Sequence, residues 1–101
     1  MRLLLNAGGL NYVISILKDQ KANPPTEDNL RLFDTIMLNL QSKHAYDRSA
    51  ADTLYGLAME WSKLDLWKRV VSTMFLGRDT MESSKLLSAV EQFGFEELQS
   101  V

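Results

Sequence analysis

The sequence predicts an all-α fold. Leucine occupies 17 of the 101 positions, whereas valine, isoleucine and threonine together occupy 13, a bias that favours helices over strands. No stretch alternates apolar and polar residues over the length of a strand. Glycines and prolines instead separate segments of helical length that carry apolar residues at three- and four-residue spacings. We therefore expect residues 1–101 to form a single all-helical domain with five main helices.

The first two helices follow from spacing and capping. Leu10, Val13, Ile14 and Leu17 stand at i, i+3, i+4 and i+7, after the predicted break at Gly8-Gly9. The first helix should end in the polar segment 18–25, which closes with two prolines. Thr26 is then the expected N-cap of the second helix, with acidic residues in its first turn. Its apolar stripe is broad, which predicts burial on more than one side: Leu30, Leu32, Phe33, Ile36, Met37 and Leu40.

The third helix should start after the polar segment 41–48. Ser49 with Asp52 forms a variant of the capping box, and Tyr46 is an alternative start. Gly56 falls inside this helix, where a glycine predicts close approach of a neighbouring helix. The stripe expected to face the core consists of Leu54, Leu57, Ala58 and Trp61.

The fourth and fifth helices are bounded by acidic caps and glycines. Asp65 is the expected N-cap of the fourth helix, and Gly77 its left-handed C-cap. Asp79 with Glu82 forms the expected cap pair of the fifth helix, which should end at Gly94. Residues 95–101 have the pattern of an opening helical turn. The two predicted stripes are Trp67, Val70, Val71 and Met74, and then Leu86, Leu87, Val90 and Phe93.

Residues 54–70 and 86–101 echo each other in residue type. The offset between them is 32 residues and then 31, a period typical of stacked helical hairpins, which cannot bury their stripes alone. Residues 3–5 look like the end of another helix, so both ends of the chain are apolar. We expect an α-solenoid-like, right-handed superhelix and a piece of a longer helical-repeat region, with a compact irregular bundle as the alternative. The matched positions are Leu54, Leu57, Ala58, Trp61, Leu64, Asp65, Trp67 and Val70 with Leu86, Ala89, Val90, Phe93, Phe95, Glu96, Leu98 and Val101.

This pattern resembles the armadillo, HEAT and tetratricopeptide class of helical repeats. The opening Gly8-Gly9-Leu10, with Val13 and Leu17, is similar to the start of an armadillo-type helix. The chain departs from the tetratricopeptide signature, because residues 63–65 after Trp61 read Lys-Leu-Asp and no proline closes the unit. The resemblance implies a scaffold that binds protein partners, and it assigns no functional residue.

Composition excludes several classes of function. The net charge of −2 gives no overall attraction to nucleic acid or to an anionic membrane. The absence of cysteine excludes thiolate catalysis and zinc or iron clusters held by cysteine sulfur, and a single histidine excludes sites that need two imidazoles. The longest uncharged run, residues 3–17, is too short to span a membrane and too interrupted for a secretory signal, so we expect a cytoplasmic protein.

The remaining candidates favour a surface over an active site. His44 lies in a polar linker beside Asp47, where we expect a solvated loop residue and no triad. We expect a non-catalytic interaction or scaffold segment without cofactor or metal, which binds a protein partner or adjacent repeats and can associate with itself through apolar ends. The alternatives are a helical accessory or C-terminal region of a larger enzyme and, less favoured, a helical-repeat RNA binder. The candidate partner-binding residues are Trp61, Trp67, Lys68, Arg69, Phe95 and Leu98.

Overall fold

Six helices follow one another along the chain. The structure, a computed structural model, describes residues 7–20, 24–42, 46–77, 79–80 and 82–99, with only the backbone at residues 7, 8 and 20. Every regular element within these ranges is a helix, which confirms the all-α class. The helices are α1 (Ala7–Gln20), α2 (Glu27–Leu40), α3 (Arg48–Glu60), α4 (Leu64–Leu76), α5 (Ser83–Phe93) and α6 (Phe95–Gln99).

The helix starts show which polar residues act as caps. Thr26 is the N-cap of α2, as predicted, and forms a reciprocal capping box with Asn29. The N-cap of α3 is Asp47, whose Oδ1 accepts from the backbone N–H of Ala50 at 2.9 Å, so both Ser49 and Tyr46 were wrong as the start. Similarly, α4 begins one residue before the predicted cap, and Asp65 lies in its first turn.

Two of the predicted glycine breaks differ in the structure, whereas Gly94 ends α5 as predicted. Gly8 and Gly9 do not break the chain, because they lie within α1. Gly77 ends α4 with φ of −80°, so its role is not a left-handed cap. A Cβ at Gly77 would lie 2.7 Å from Cγ and Cδ1 of Tyr46, which makes close approach of this ring the reason for a glycine. Gly94 has φ of +92°, a region that favours glycine, and turns the chain sharply from α5 into α6.

The hydrophobic core lies among α1 to α4. The rings of Phe33 and Trp61 meet at a centroid distance of 5.8 Å in a tilted arrangement. From α5, Ala89 alone among the described residues is fully buried, so this helix covers the core without entering it deeply. The buried apolar side chains of α1 to α4 include Leu10, Leu17, Phe33, Ile36, Met37, Leu40, Leu54, Ala58, Val70 and Met74.

Polar contacts join α2 to α4 and α3 to α5, that is, each helix to the next but one along the chain. Between α2 and α4, the guanidinium of Arg69 donates to Asp34 at 2.6 Å, 35 residues away. Between α3 and α5, the hydroxyl of Tyr55 donates to the carbonyl of Lys85 at 2.7 Å, 30 residues away. Lys85 also pairs with Asp52 across the same two helices. In addition, α1 packs against α3, so α3 contacts both α1 and α5.

The overall dimensions are those of a compact bundle. The radius of gyration is 13.3 Å, close to the roughly 13 Å expected for a globular chain of about 100 residues. The compact bundle named as an alternative therefore describes these six helices, and the superhelix stays a prediction. Residues 3–5, predicted to end a preceding helix, lie outside the described residues, whereas the predicted helical turn after Gly94 is present as α6.

Gly56 does not pack against a neighbouring helix, contrary to the sequence prediction. A Cβ at this position would meet nothing within 4 Å. We therefore expect Gly56→Ala to stabilise the fold by about 0.8–1 kcal/mol, the difference in helix propensity between the two residues. Urea denaturation followed by circular dichroism measures this change. A loss of stability would show that some group does pack against the α-carbon of Gly56.

Candidate partner-binding groove

An apolar groove lies between α4, α5 and α6. Its volume is about 500 Å³, within the range of binding sites for ligands and anchoring side chains. Most of its lining is aromatic or aliphatic, which distinguishes it from the more polar depression beside Lys18, Asp52 and Glu60 on the α3 side. The groove is lined by Trp67, Val71, Phe75, Thr80, Leu86, Val90, Phe95, Leu98 and Gln99.

The groove exists because α4 and α5 carry more apolar residues than the core takes up. On α4, Val70 and Met74 are buried, while Phe75 on another face is 62% exposed. On α5, the side chains of Leu86 and Leu87 are 47% and 59% exposed, although the sequence assigned both to the core. Large apolar side chains left in solvent are a feature often found at interaction surfaces.

The sharp turn at Gly94 places α6 along one side of the groove. Phe95, the first residue of α6, is 60% exposed, and Leu98 packs in part against the core. Both side chains line the groove, three residues apart on one face of the short helix. The turn therefore converts two apolar residues near the end of the sequence into one wall of the site.

Trp67 connects the groove to the core. Its ring lies 6.2 Å from the centroids of both Tyr55 and Phe93, and 5% of the residue is exposed. Its indole Nε1 is buried and has no hydrogen-bond partner within the described part of the chain. A buried N–H without an acceptor costs about 1–3 kcal/mol. An occupant that brings an oxygen to this position would recover part of that free energy.

Acidic residues lie on α5 and α6, outside the groove lining. Glu91, Glu96 and Glu97 are exposed. Residues 82–99 carry four glutamates and one lysine, and that lysine, Lys85, is paired with Asp52. An occupant of this groove would consequently meet a mostly apolar lining, on two helices whose charged residues are mainly acidic.

The structure brings three of the six predicted partner-binding residues together. Trp67, Phe95 and Leu98 share the groove. Trp61 is instead buried in the core against Phe33. Arg69 is paired with Asp34 of α2. Lys68 lies on α4, is half-buried and does not belong to the groove lining.

Sequence reasoning missed most of the groove lining. Val71, Leu86 and Val90 were assigned to inward stripes, because periodicity alone shows that residues share a helix face and not which neighbour covers it. Phe75, one turn after Val71, carried a usable signal. Val71 and Phe75 stand four residues apart, beside the buried pair Val70 and Met74, and this spacing indicates a second apolar face of α4.

A second cluster surrounds the carboxylate of Asp79, which the sequence assigned to a helix cap. The N-cap of α5 is Glu82, and the side chain of Asp79 is instead 7% exposed beneath Tyr46. The hydroxyl of Tyr46 donates to Oδ2 at 2.6 Å, the N–H of Thr80 donates to Oδ1 at 2.8 Å, and Arg48 lies 3.5 Å away. The Tyr46 hydrogen bond, helped by Thr80 and Arg48 and opposed by burial, lowers the pKa of Asp79. Burial and the same bond raise the pKa of Tyr46.

Other kinds of site find no support among the described residues. No group of three or more His, Cys, Asp or Glu side chains in that part of the chain lies close enough to hold a metal ion. His44 lies outside the described residues. None of the helices described is long and apolar enough to cross a membrane.

Comparison of the chain with protein-family models, with curated proteins and with solved structures finds no match.

Proposed function

We propose that the chain is a non-catalytic protein-interaction module built from stacked helical hairpins, and that it binds an apolar helix of a protein partner. The observation that carries this proposal is the uncovered apolar face of α4, α5 and α6. Phe75, Leu86 and Phe95 are each about half exposed or more around a groove of about 500 Å³. Side chains of this kind are typical anchors of protein interfaces.

Contacts between alternate helices support the stacked-hairpin architecture. The polar contacts that join α2 to α4 and α3 to α5 span 30 to 36 residues, close to the 31- and 32-residue echo in the sequence. In a helical-repeat protein each hairpin contacts its neighbours in this way, and their outer faces bind partners. On this proposal α3–α4 and α5–α6 are successive hairpins of a right-handed stack, and the groove is lined by α4 of the first hairpin and by both helices of the second.

A helix suits the groove better than a small molecule does. Leu76 and Leu87, on the same helices α4 and α5 but outside the groove lining, are 80% and 59% exposed. A compact ligand would leave both in water, whereas an amphipathic helix with anchors at i, i+3, i+4 and i+7 would cover them.

Selection from a displayed library of helical peptides tests the proposal. We expect enrichment of amphipathic helices and a loss of binding of at least about 30-fold in Phe95→Glu, since removal of a central aromatic anchor costs about 2 kcal/mol or more. Tyr12→Glu is the matched control, because Tyr12 is 68% exposed on α1 and is not part of the groove. Circular dichroism should show both variants folded.

Two results would contradict this function. One is the absence of any enriched helix whose binding depends on Phe95. The other is tight binding of single-stranded RNA that weakens steeply with salt and disappears in Lys68→Glu with Arg69→Glu, since this pattern is typical of an electrostatic nucleic-acid surface.

A further inference from the structure

Two residues of the groove lining stand where α4 ends and the chain turns towards α5. Phe75 lies in the last turn of α4, and Thr80 lies between the two helices. Both are exposed, Phe75 to 62%. Helix ends and connections are the parts of a fold that open most readily. The places of these two side chains in the groove therefore depend on what holds this part of the backbone.

Tyr46, which precedes α3, contacts the backbone between these two groove residues. Its ring lies against Gly77, where a Cβ would be 2.7 Å from two ring atoms. Its hydroxyl donates to Oδ2 of Asp79 at 2.6 Å. The backbone N–H of Thr80 donates to Oδ1 of the same carboxylate at 2.8 Å. One carboxylate therefore connects the Tyr46 side chain to the backbone of a groove residue.

Asp79 is well placed to transmit this contact. Its backbone N–H donates to the carbonyl of Met74 on α4 at 2.9 Å, and its side chain is 7% exposed. Arg48 adds a cation 3.5 Å from Oδ1. Hydrogen bonds to an ionised, enclosed carboxylate are shorter and stronger than bonds between neutral groups. The bond from Tyr46 is therefore strong enough to fix the backbone at residues 79 and 80.

We propose that Tyr46 is a positioning residue of the groove. Its contacts hold the end of α4 and the connection after it, and thereby keep Phe75 and Thr80 in the groove lining. Tyr46 itself does not line the groove. The inference rests on the proposed function and adds a residue that controls the affinity of the same site from outside. Without this contact only a fraction of the molecules presents the complete groove, and the affinity for a helix falls by that fraction.

Titration with an amphipathic helical peptide enriched in the selection measures this effect. Tyr46→Phe should bind the peptide about three- to tenfold more weakly, as expected when the competent fraction falls to between about one third and one tenth. Asp34→Ala is the control, because it removes another short bond to a charged group, from Arg69 at 2.6 Å, and neither residue lines the groove. This control should bind like the wild type, and circular dichroism should show both variants folded.

Two substitutions of Asp79 separate positioning from stability. In Asp79→Asn the amide oxygen still accepts from the N–H of Thr80, and the amide nitrogen can donate to the hydroxyl oxygen of Tyr46. Asp79→Ala keeps neither contact. Both variants lose the charge and should be less stable, but Asp79→Asn should retain affinity that Asp79→Ala loses. If the contact were merely structural, the affinity of these variants would follow their stability.

NMR spectra of the free chain test the positioning role without a ligand. In Tyr46→Phe the side-chain resonances of Phe75 and Thr80 should shift or broaden, whereas those of Phe95 on α6 should not. Unchanged resonances of Phe75 and Thr80 would overturn the inference, as would peptide affinity equal to that of the wild type or an equal loss in Asp34→Ala. A wild-type chain that binds no helix, yet shows Tyr46-dependent resonances at both residues, would refute the proposed function and support the positioning role.

Discussion

Gly77→Ala is expected to destabilise the fold by about 2–4 kcal/mol, because overpacking strain adds to partial loss of a charged hydrogen bond. The new Cβ would lie 2.7 Å from two atoms of the Tyr46 ring and 2.9 Å from a third, near the base of the side chain. The ring cannot swing aside freely, since its hydroxyl is held by Asp79 at 2.6 Å. Relief of the clash therefore moves the ring away from Asp79 or shifts the end of α4.

Urea denaturation of Gly77→Ala beside Gly56→Ala gives a matched comparison. Both variants add one methyl group to a glycine of a helix or its cap, yet we expect opposite signs, because Gly56 has open space around its α-carbon. A double-mutant cycle with Tyr46→Ala then assigns the cause. In the Tyr46→Ala background the cost of Gly77→Ala should largely vanish, and a cost that persists would rule out the ring as its source.

The accuracy of the sequence prediction followed the range of the interactions involved. Thr26 was predicted correctly as an N-cap, because its partner Asn29 is three residues away. The prediction of Gly77 as a left-handed cap was wrong. A glycine is needed there because the ring of Tyr46, 31 residues earlier in the chain, leaves no space for a Cβ. Local spacing identifies a cap, but it does not show which distant ring lies against a backbone.

Asp79 shows the same limit for charged residues. Its position three residues before Glu82 fits a capping pair, and nothing nearby in sequence marks it as enclosed. Folding places it against Tyr46 and Arg48, more than 30 residues away, and Glu82 becomes the cap. The short-range pattern was compatible with two roles, and a long-range contact selected between them.

The groove could be predicted only in part, for a related reason. Phe95 and Leu98 were singled out because an apolar turn followed Gly94, and the structure places both in the groove lining. Trp61 is also a candidate from the sequence, yet it is buried in the core against Phe33 of α2. Aromatic content identifies candidate anchors, and packing partners from other helices decide which of them stay accessible.

Tyr46→Phe is expected to lower the free energy of unfolding at neutral pH by about 1.5–3 kcal/mol, the usual net contribution of a hydrogen bond to a charged group. The carboxylate of Asp79 keeps the N–H of Thr80 and the nearby Arg48, but it loses its shortest donor. Tyr55→Phe is the matched control, because the hydroxyl of Tyr55 donates to an uncharged backbone carbonyl at 2.7 Å. The control substitution should lower the free energy of unfolding by about 0.5–1.5 kcal/mol.

The dependence on pH distinguishes the two variants. Because the folded-state pKa of Asp79 is lowered, its stabilisation is complete above the unfolded pKa of about 3.9 and disappears as pH falls through the lower folded value. Because the folded-state pKa of Tyr46 is raised, its contribution is complete below about pH 10 and is lost at higher pH. The difference in free energy of unfolding between wild type and Tyr46→Phe should therefore be largest at neutral pH. It should become smaller at both acidic and alkaline pH.

Measuring the free energy of unfolding at pH 7 and in steps down to pH 3 tests this prediction at acidic pH, where Tyr46 stays protonated. The deficit of Tyr46→Phe should shrink along this series, whereas that of Tyr55→Phe should stay constant, since its acceptor carries no titrating proton. If the stability deficits of the two variants changed equally with pH, the charge of Asp79 would not strengthen its hydrogen bond with Tyr46. The bond would then contribute no more than a neutral one.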